Sequence, residues 1–268
     1  MAGLRKAKTA AKLLIQPRGF WRILDRLAPE RARLLSWRAK LRWKVGVSSE
    51  VDFWDSWFRT KGLEWATDYI ERFDPNLALQ SRPAALLPEQ PKAGKIRILD
   101  VGAGPLTYLG KKSGMREIEI VAVDPLAAEY DHILAKYQVS PPVKTEKLDA
   151  ERLSVRFKPD TFDLVTARNC LDHSYNPEKA ILEMISVVKP KCYVLLEHYE
   201  NEALTANWQG LHQWNFSMSV NGDFIISSRL HQVNFSEKYS QLCSTSCERE
   251  QVSDGNHDSF LITRIQKK

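Results

Sequence analysis

No stretch of this chain stays apolar for the roughly 18 residues that a membrane-spanning helix needs. The N-terminus shows no apolar core ahead of a small-residue cleavage site, so no secretory signal is expected. Cysteine is scarce: Cys170, Cys192, Cys243 and Cys247 form no CxxC pair, and no histidines complete a zinc-ligand spacing with them. No metal site is therefore expected, and reduced thiols point to a cytoplasmic protein. Acid is nearly absent from residues 1–44, where thirteen Lys or Arg stand against Asp25 and Glu30. That segment carries +11 in a chain whose net charge is +6, which leaves −5 for the remainder. A body of that sign is a poor electrostatic partner for nucleic acid.

The 268 residues suffice for one large α/β domain plus an extension. Apolar residues recur at helical spacing among the bases of the first segment, and Pro17 and Pro29 interrupt them. Two or three short helices are expected there. One reading of this arm is docking on an anionic membrane surface or on a protein partner, peripheral at the membrane. The other is a solvated basic face whose apolar side packs on the domain. The segment is too poor in serine to read well as a transit peptide. The domain boundaries expected are a basic helical extension over 1–48 and a catalytic-size domain over 49–268, with a helical lid at 49–80 and an α/β core at 95–268.

The lid reads as helix over 49–73. Ser49 ahead of Glu50 and Asp52 suits a helix start, and Phe53, Trp54, Trp57 and Phe58 make one apolar stripe. The proline-containing stretch 81–91 reads as a linker. Strands and helices then alternate: strands at 95–101, 119–123, 143–148, 162–167 and 193–196, helices at 126–137 and 177–188. Pro177 suits a first helical turn. Segments 223–228 and 260–265 are expected to close the sheet, partly antiparallel. Such alternation predicts a mostly parallel sheet with helices on both faces, and ligands bound outside the carboxyl ends of its strands.

The first strand runs into Asp100-Val101-Gly102-Ala103-Gly104, where two glycines permit a sharp turn and close approach to a ligand. A dinucleotide fold would continue to a third glycine, but Thr107 stands there and an acid precedes the turn. That pattern suits a cationic amino-acid ligand better than a pyrophosphate. The second strand ends in Asp124-Pro125, where a carboxylate can accept both hydroxyls of a ribose. The third ends in Asp149-Ala150, where an acid can accept an exocyclic amine while the next amide reaches a ring nitrogen.

These segments resemble the successive motifs of the class I (Rossmann-like) S-adenosylmethionine-dependent methyltransferases. The residues are ILDVGAG, AVDP, LDA and FDLVTARNCLDHSYNPEKAILEMISVVKP, over about residues 95–200. The last run is similar to that of the small-molecule group, and FWDSWF and GLHQWNF resemble segments of methyltransferases encoded with polysaccharide-building enzymes. The resemblance implies a seven-stranded sheet and S-adenosyl-L-methionine as cofactor. It implies Asp100, Gly102, Ala103 and Gly104 at the methionine part, Asp124 and Pro125 at the ribose, Asp149 and Ala150 at the adenine, and Asn169 near the sulfonium. Two positions depart from it. Leu106 replaces a frequent glycine and is expected to narrow the methionine end, and Lys191 replaces a turn glycine.

The acceptor is less legible. A hydroxyl acceptor calls for a general base, and histidine suits that task near neutrality. His198 after the fifth strand and His212 are the candidates, with Trp208 and Trp214 as an acceptor wall and His173 as a loop-closing residue. Arg168-Asn169-Cys170-Leu171 lacks the Pro-Pro-aromatic run of enzymes that methylate base amines, and Cys170 lacks the context of a cytosine-C5 nucleophile. The expectation is O-methylation of a small-molecule or glycan acceptor. RNA methylation through the basic arm and a non-catalytic cofactor-binding scaffold stand as alternatives.

Overall fold

The computed structural model describes Trp43 and residues 46–89, 95–114, 116–252 and 259–268. The basic arm, Trp43 apart, lies outside the described residues. The first described helix, α1, covers residues 46–60. It already runs through Ser49, whose hydroxyl donates to the Gly46 carbonyl at 2.7 Å instead of capping a helix start. The helix expected to continue to Phe73 is broken at 61–65. Lys61, Gly62 and Leu63 all adopt left-handed backbone, and the Gly62 amide donates back to the Trp57 carbonyl at 2.8 Å, a helix-ending geometry. Helix α2 (Ala66–Phe73) follows. The expected linker holds a short helix instead, α3 (Ser81–Ala85), whose Arg82 pairs with Glu197 and Glu250.

Strand β1 (Ile96–Val101) enters the sheet next, followed by β2 (Ile118–Asp124), helix α4 (Ala127–Tyr137) and a short β3 (Thr145–Lys147). After a 3-10 turn at Ala150–Val155 come β4 (Phe162–Arg168), a second 3-10 turn at Leu171–His173, α5 (Pro177–Val187) and β5 (Val188–Tyr199). The Asn176 side chain caps α5 by accepting from the Lys179 amide, with Pro177 in the first turn. A one-turn helix α6 (Glu202–Thr205) precedes three short strands, β6 (Asn215–Met218), β7 (Phe224–Ser227) and β8 (Gln232–Asn234). The chain ends in α7 (Phe235–Lys238), β9 (Cys243–Gln251) and β10 (Ser259–Lys267).

The main sheet has seven strands in the order β3-β2-β1-β4-β5-β10-β9. Its first five strands pair in parallel, while β10 runs antiparallel to both β5 and β9. This is the α/β, Rossmann-like, mostly parallel seven-stranded sheet that the resemblance to class I methyltransferases implies. The expected strand at 260–265 is β10. The one expected at 223–228 forms as β7, but it joins a separate sheet, β6-β7-β8, because its hairpin neighbours lie close in sequence and pair locally. Its place in the main sheet belongs to β9. That strand is an edge whose residues alternate from buried Cys243 to exposed charge, and a solvent-facing edge needs no apolar run.

Both faces of the sheet are buried, and the period-two alternation of the strands divides them. Leu99, Val101, Val165 and Leu196 pack toward α5, whereas Ile98, Leu164 and Leu195 pack with Leu79 and Leu109. A third cluster joins α1 to α4: Trp57 and Phe58 are buried with Tyr130, Ile133 and Leu134. Leu106 belongs to this cluster, so it fills core and does not narrow the ligand end. Lys191 has φ 65, which explains the glycine common at that turn. Replacing Lys191 with Gly relieves the left-handed strain and is expected to raise stability by up to about 1 kcal/mol. The check is a higher urea midpoint with an unchanged m-value.

Candidate active site

Strand order reverses between β1 and β4, and a crevice opens there at the carboxyl ends of the parallel strands. A cavity of about 680 Å³ occupies it, within the roughly 300–1,000 Å³ of small-ligand sites. The candidate cofactor-binding and catalytic residues all line this cavity: Asp100, Gly102, Ala103 and Gly104; Asp124 and Pro125; Asp149 and Ala150; Asn169; His198 and His212.

At the cofactor end, the turn after β1 is stitched to β2. Gly102 and Ala103 donate to the Val123 carbonyl at 2.8 and 3.2 Å, and the Gly104 amide donates to Asp124 Oδ2 at 3.1 Å. These amides are thereby committed, whereas a pyrophosphate loop must aim its amides at the ligand. Asp124 Oδ1 also accepts the Leu126 amide at 2.8 Å. Each carboxylate oxygen has a second lone pair, so Asp124 keeps the capacity to accept further hydrogen bonds. Burial pushes the Asp124 carboxyl up to about 7, against the pull of those two amides. Asp100 is buried beneath the turn, accepting the Thr107 hydroxyl at 2.5 Å and the Thr166 hydroxyl at 3.1 Å, and burial raises it to about 6. Asn169, in left-handed backbone, donates its amide to the Glu197 carbonyl and accepts the Tyr199 amide on Oδ1.

A lid residue that sequence reasoning left in the core stripe closes this end. Trp54 on α1 lies so near the turn that a Cβ on Gly104 would meet its ring at 2.7 Å, and Gly104 has φ +64. Gly104→Ala is therefore expected to cost about 1–3 kcal/mol of stability and to displace Trp54, read as a lower melting temperature and altered tryptophan fluorescence. The Trp54 indole donates to Glu50 Oε1 at 2.8 Å, one turn earlier on the helix.

A second cluster, drawn from segments far apart in sequence, lines the same cavity. Asp172 Oδ2 lies 2.8 Å from His212 Nδ1 and 3.3 Å from His173 Nε2, and the two histidine nitrogens are 3.1 Å apart. Glu50 Oε2 is 3.5 Å from His173 Nδ1, and Glu202 Oε1 is 3.7 Å from His212 Nδ1. The loop carrying His212 is pinned to the turn after β4: Gln213 donates its amide to the Asp172 carbonyl, and the Trp214 indole donates to the Ser174 carbonyl. Trp214 is thus a strut, and Trp208 meets Arg229. The aromatic residues that line the cavity are Trp43, Phe53, Trp54, Trp57, Trp65 and several tyrosines, not the expected wall of Trp208 and Trp214.

Burial would raise the Asp172 carboxyl, but the neighbouring charges of His173 and His212 and the hydrogen bond from His212 outweigh it and hold it at about 2. Burial opposes protonation of His212, yet the hydrogen bond and charge of Asp172 prevail and lift it above its ordinary value. His198 differs. It is 3% exposed, its Nε2 accepts the Leu171 amide at 3.3 Å, and burial depresses it to about 4. Its ring leans on Phe216.

An adenosyl-sulfonium ligand fits this donor set. Asp124 is buried with acceptor capacity to spare, Asp149 stands beside it at the next strand end, and no amide of the glycine turn from Gly102 to Gly104 is left to cradle a phosphate. Among the described residues, no helix is long and apolar enough to cross a membrane.

Comparison with known proteins gives a curated relative, an uncharacterized methyltransferase of Schizosaccharomyces pombe, 35% identical over 105 residues. The match covers 37% of this chain and 38% of that protein, so the chain spans well under half of the relative's length. Among solved structures, an S-adenosylmethionine-dependent methyltransferase of Methanosarcina mazei matches with 14% identity, 71% of this chain, 99% of that chain and a TM-score of 0.43. The phosphoethanolamine N-methyltransferase 2 of Haemonchus contortus, solved with S-adenosyl-L-methionine, matches with 15% identity, 75% of this chain, 56% of that chain and a TM-score of 0.40. The methyltransferase domain family model matches residues 70–234, more than half of the sequence. The chain belongs to the methyltransferase domain family.

Proposed function

We propose that this protein O-methylates a small-molecule or saccharide hydroxyl, with His212 as the proton acceptor. The observation that carries this reading is the 2.8 Å contact between His212 Nδ1 and Asp172 Oδ2, inside the cavity that also holds the cofactor-end acids. Asp172, 3% exposed, fixes the imidazole with its proton on Nδ1 and leaves Nε2 to accept one from the acceptor. S-adenosylmethionine, when bound, supplies an electrophilic methyl group. The chain's part is alignment of donor and acceptor and exclusion of water, the main contributions in a displacement of this kind.

In this reading Asp124 and Pro125 hold the ribose, Asp149 and Ala150 the adenine, and Asp100 with Gly102, Ala103 and Gly104 the methionine part. Asn169 orders the backbone between β4 and β5 beside the reacting atoms. His198 is a positioning residue: its bond to the Leu171 amide supports the turn that presents Asp172 and His173. A group whose basicity is depressed to about 4 accepts a proton poorly near neutrality.

The test is transfer of labelled methyl from S-adenosylmethionine to pools of saccharides and hydroxylated metabolites, run beside RNA and amine pools. Label in the hydroxyl pools, resistant to amine-specific release, is the expected result. Label confined to RNA or amines rejects the hydroxyl reading, and no label in any pool favours a non-catalytic scaffold.

A further inference from the structure

We propose that Asp172, His173 and His212 bind one first-row divalent cation at the acceptor end of the cavity, where it polarises the acceptor hydroxyl. The inference rests on the proposed hydroxyl methylation and concerns how that hydroxyl is ionised.

The geometry of the three donors is that of a coordination face. Asp172 Oδ2, His173 Nε2 and His212 Nδ1 are separated by 2.8, 3.1 and 3.3 Å. A metal at about 2.1 Å from each of three mutually adjacent ligands sets them roughly 3.0–3.4 Å apart, the lower value octahedral and the upper tetrahedral. The triangle comes from two loops far apart in sequence, and backbone and indole bonds hold them together.

Protons alone satisfy this triangle poorly. Two imidazole nitrogens 3.1 Å apart have room for one proton between them, and each also faces the same carboxylate oxygen. If both nitrogens carry protons, both N–H groups aim at one atom and crowd each other. A cation at the centre satisfies three lone pairs at once. The surroundings match what metal-binding histidines keep beyond the metal. The far nitrogen of His173 faces Glu50 at 3.5 Å, the carboxylate–histidine arrangement that orients a ligand ring. Glu202 Oε1, 3.7 Å from His212 Nδ1, puts a further carboxylate beside the cluster. Two nitrogens and one carboxylate suit first-row ions such as Mn²⁺ or Zn²⁺ better than Mg²⁺ or Ca²⁺, which prefer all-oxygen sites.

The cluster lines the same cavity as Asp100 and Gly102, so an acceptor oxygen on the cation's open side shares that cavity with the donor. The acceptor O–H bond breaks and its proton leaves to water. The oxygen lone pair forms the new O–CH₃ bond, and the S–CH₃ bonding pair stays on sulfur. In the cation-loaded protein His212 is a ligand. In the cation-free protein it is the proton acceptor, so chelation slows methyl transfer without abolishing cofactor binding.

The experiment is titration of the chelator-stripped protein with MnCl₂, followed by loss of the free Mn²⁺ electron paramagnetic resonance signal, with ZnCl₂ as competitor. One equivalent of Mn²⁺ is expected to bind and Zn²⁺ to displace it. Asp172→Asn and His173→Gln should each weaken Mn²⁺ binding at least about tenfold, while S-adenosylmethionine affinity shows that the variants remain folded. Wild-type protein that binds neither ion, or variants that bind Mn²⁺ as wild type does, would overturn the site. If stripped protein methylates hydroxyls at full rate and takes up no Mn²⁺, the cation is refuted and the proposed function stands. If Mn²⁺ binds through Asp172 but no hydroxyl is ever methylated, the site stands as a cation site and its proposed role falls.

Discussion

Replacing His212 with Ala is expected to lower kcat for methyl transfer by about 10²- to 10⁴-fold, the usual worth of a positioned general base. Affinity for S-adenosylmethionine should be essentially unchanged, because the contacts of the His212 ring run to Asp172, His173 and Glu202 and not to Asp124 or Asp149. The separation of the two effects is the informative part. A residue that merely supports the fold would lower melting temperature and cofactor affinity together. The loop that carries His212 is held independently of its imidazole, through the Gln213 amide and the Trp214 indole, so the variant should remain folded. Steady-state rates beside calorimetric cofactor affinity make the measurement. A variant that keeps the wild-type rate with every accepted hydroxyl would remove His212 from the chemistry.

Replacing Asp124 with Ala is expected to act on the other side of the same equation. The carboxylate serves the Gly104 and Leu126 amides and has lone pairs left for a ribose. Hydrogen bonds to a charged group contribute about 1.5–3 kcal/mol each, so loss of the ribose contact should weaken cofactor binding by roughly 10- to 100-fold. Asp124→Asn is the companion variant, since it keeps the shape and one acceptor while removing the charge. A dependence on pH follows from burial, which places the Asp124 carboxyl at about 7 in the free protein. Ribose hydroxyls favour the ionised carboxylate, so below about pH 7 binding must first expel a proton. Affinity should be flat above that point and fall with acid by up to about tenfold per pH unit, the limit for one linked proton. Asp100, at about 6, would steepen the loss only at lower pH. Asp124→Asn should flatten the profile around neutrality. An unchanged affinity in Asp124→Ala would reject the ribose assignment.

The two ends of the site differ in how legible they are. Asp100, Asp124 and Asp149 each sit at the end of a parallel strand, so the periodicity that locates the strand also locates the carboxylate. Parallel strand ends converge on one crevice by topology alone, which is why three acids scattered over fifty residues read as one ligand site. Asp172 and His173 were visible only as part of a motif run. Their partners, His212 from the loop before β6 and Glu50 from α1, arrive through tertiary contacts with no spacing of their own. Trp54 reads equally well as core, because its stripe neighbours Trp57 and Phe58 are core, while Trp54 itself turns toward Gly104. The sole sequence hint linking it to the site is Glu50, four residues earlier and therefore on the same helix face. Strand β9 was illegible for a different reason. Its outer edge meets solvent, so Ser, Glu and Arg occupy positions that an internal strand would fill with Val or Ile.

The most direct test is calorimetric titration of the protein with S-adenosylmethionine and with S-adenosylhomocysteine, beside NAD. Both adenosyl-sulfur ligands are expected to bind at one site per chain with micromolar-range affinity, Asp124→Ala to weaken both, and NAD not to bind. Binding of NAD, or absence of binding by both adenosyl-sulfur ligands in a folded protein, would contradict this expectation.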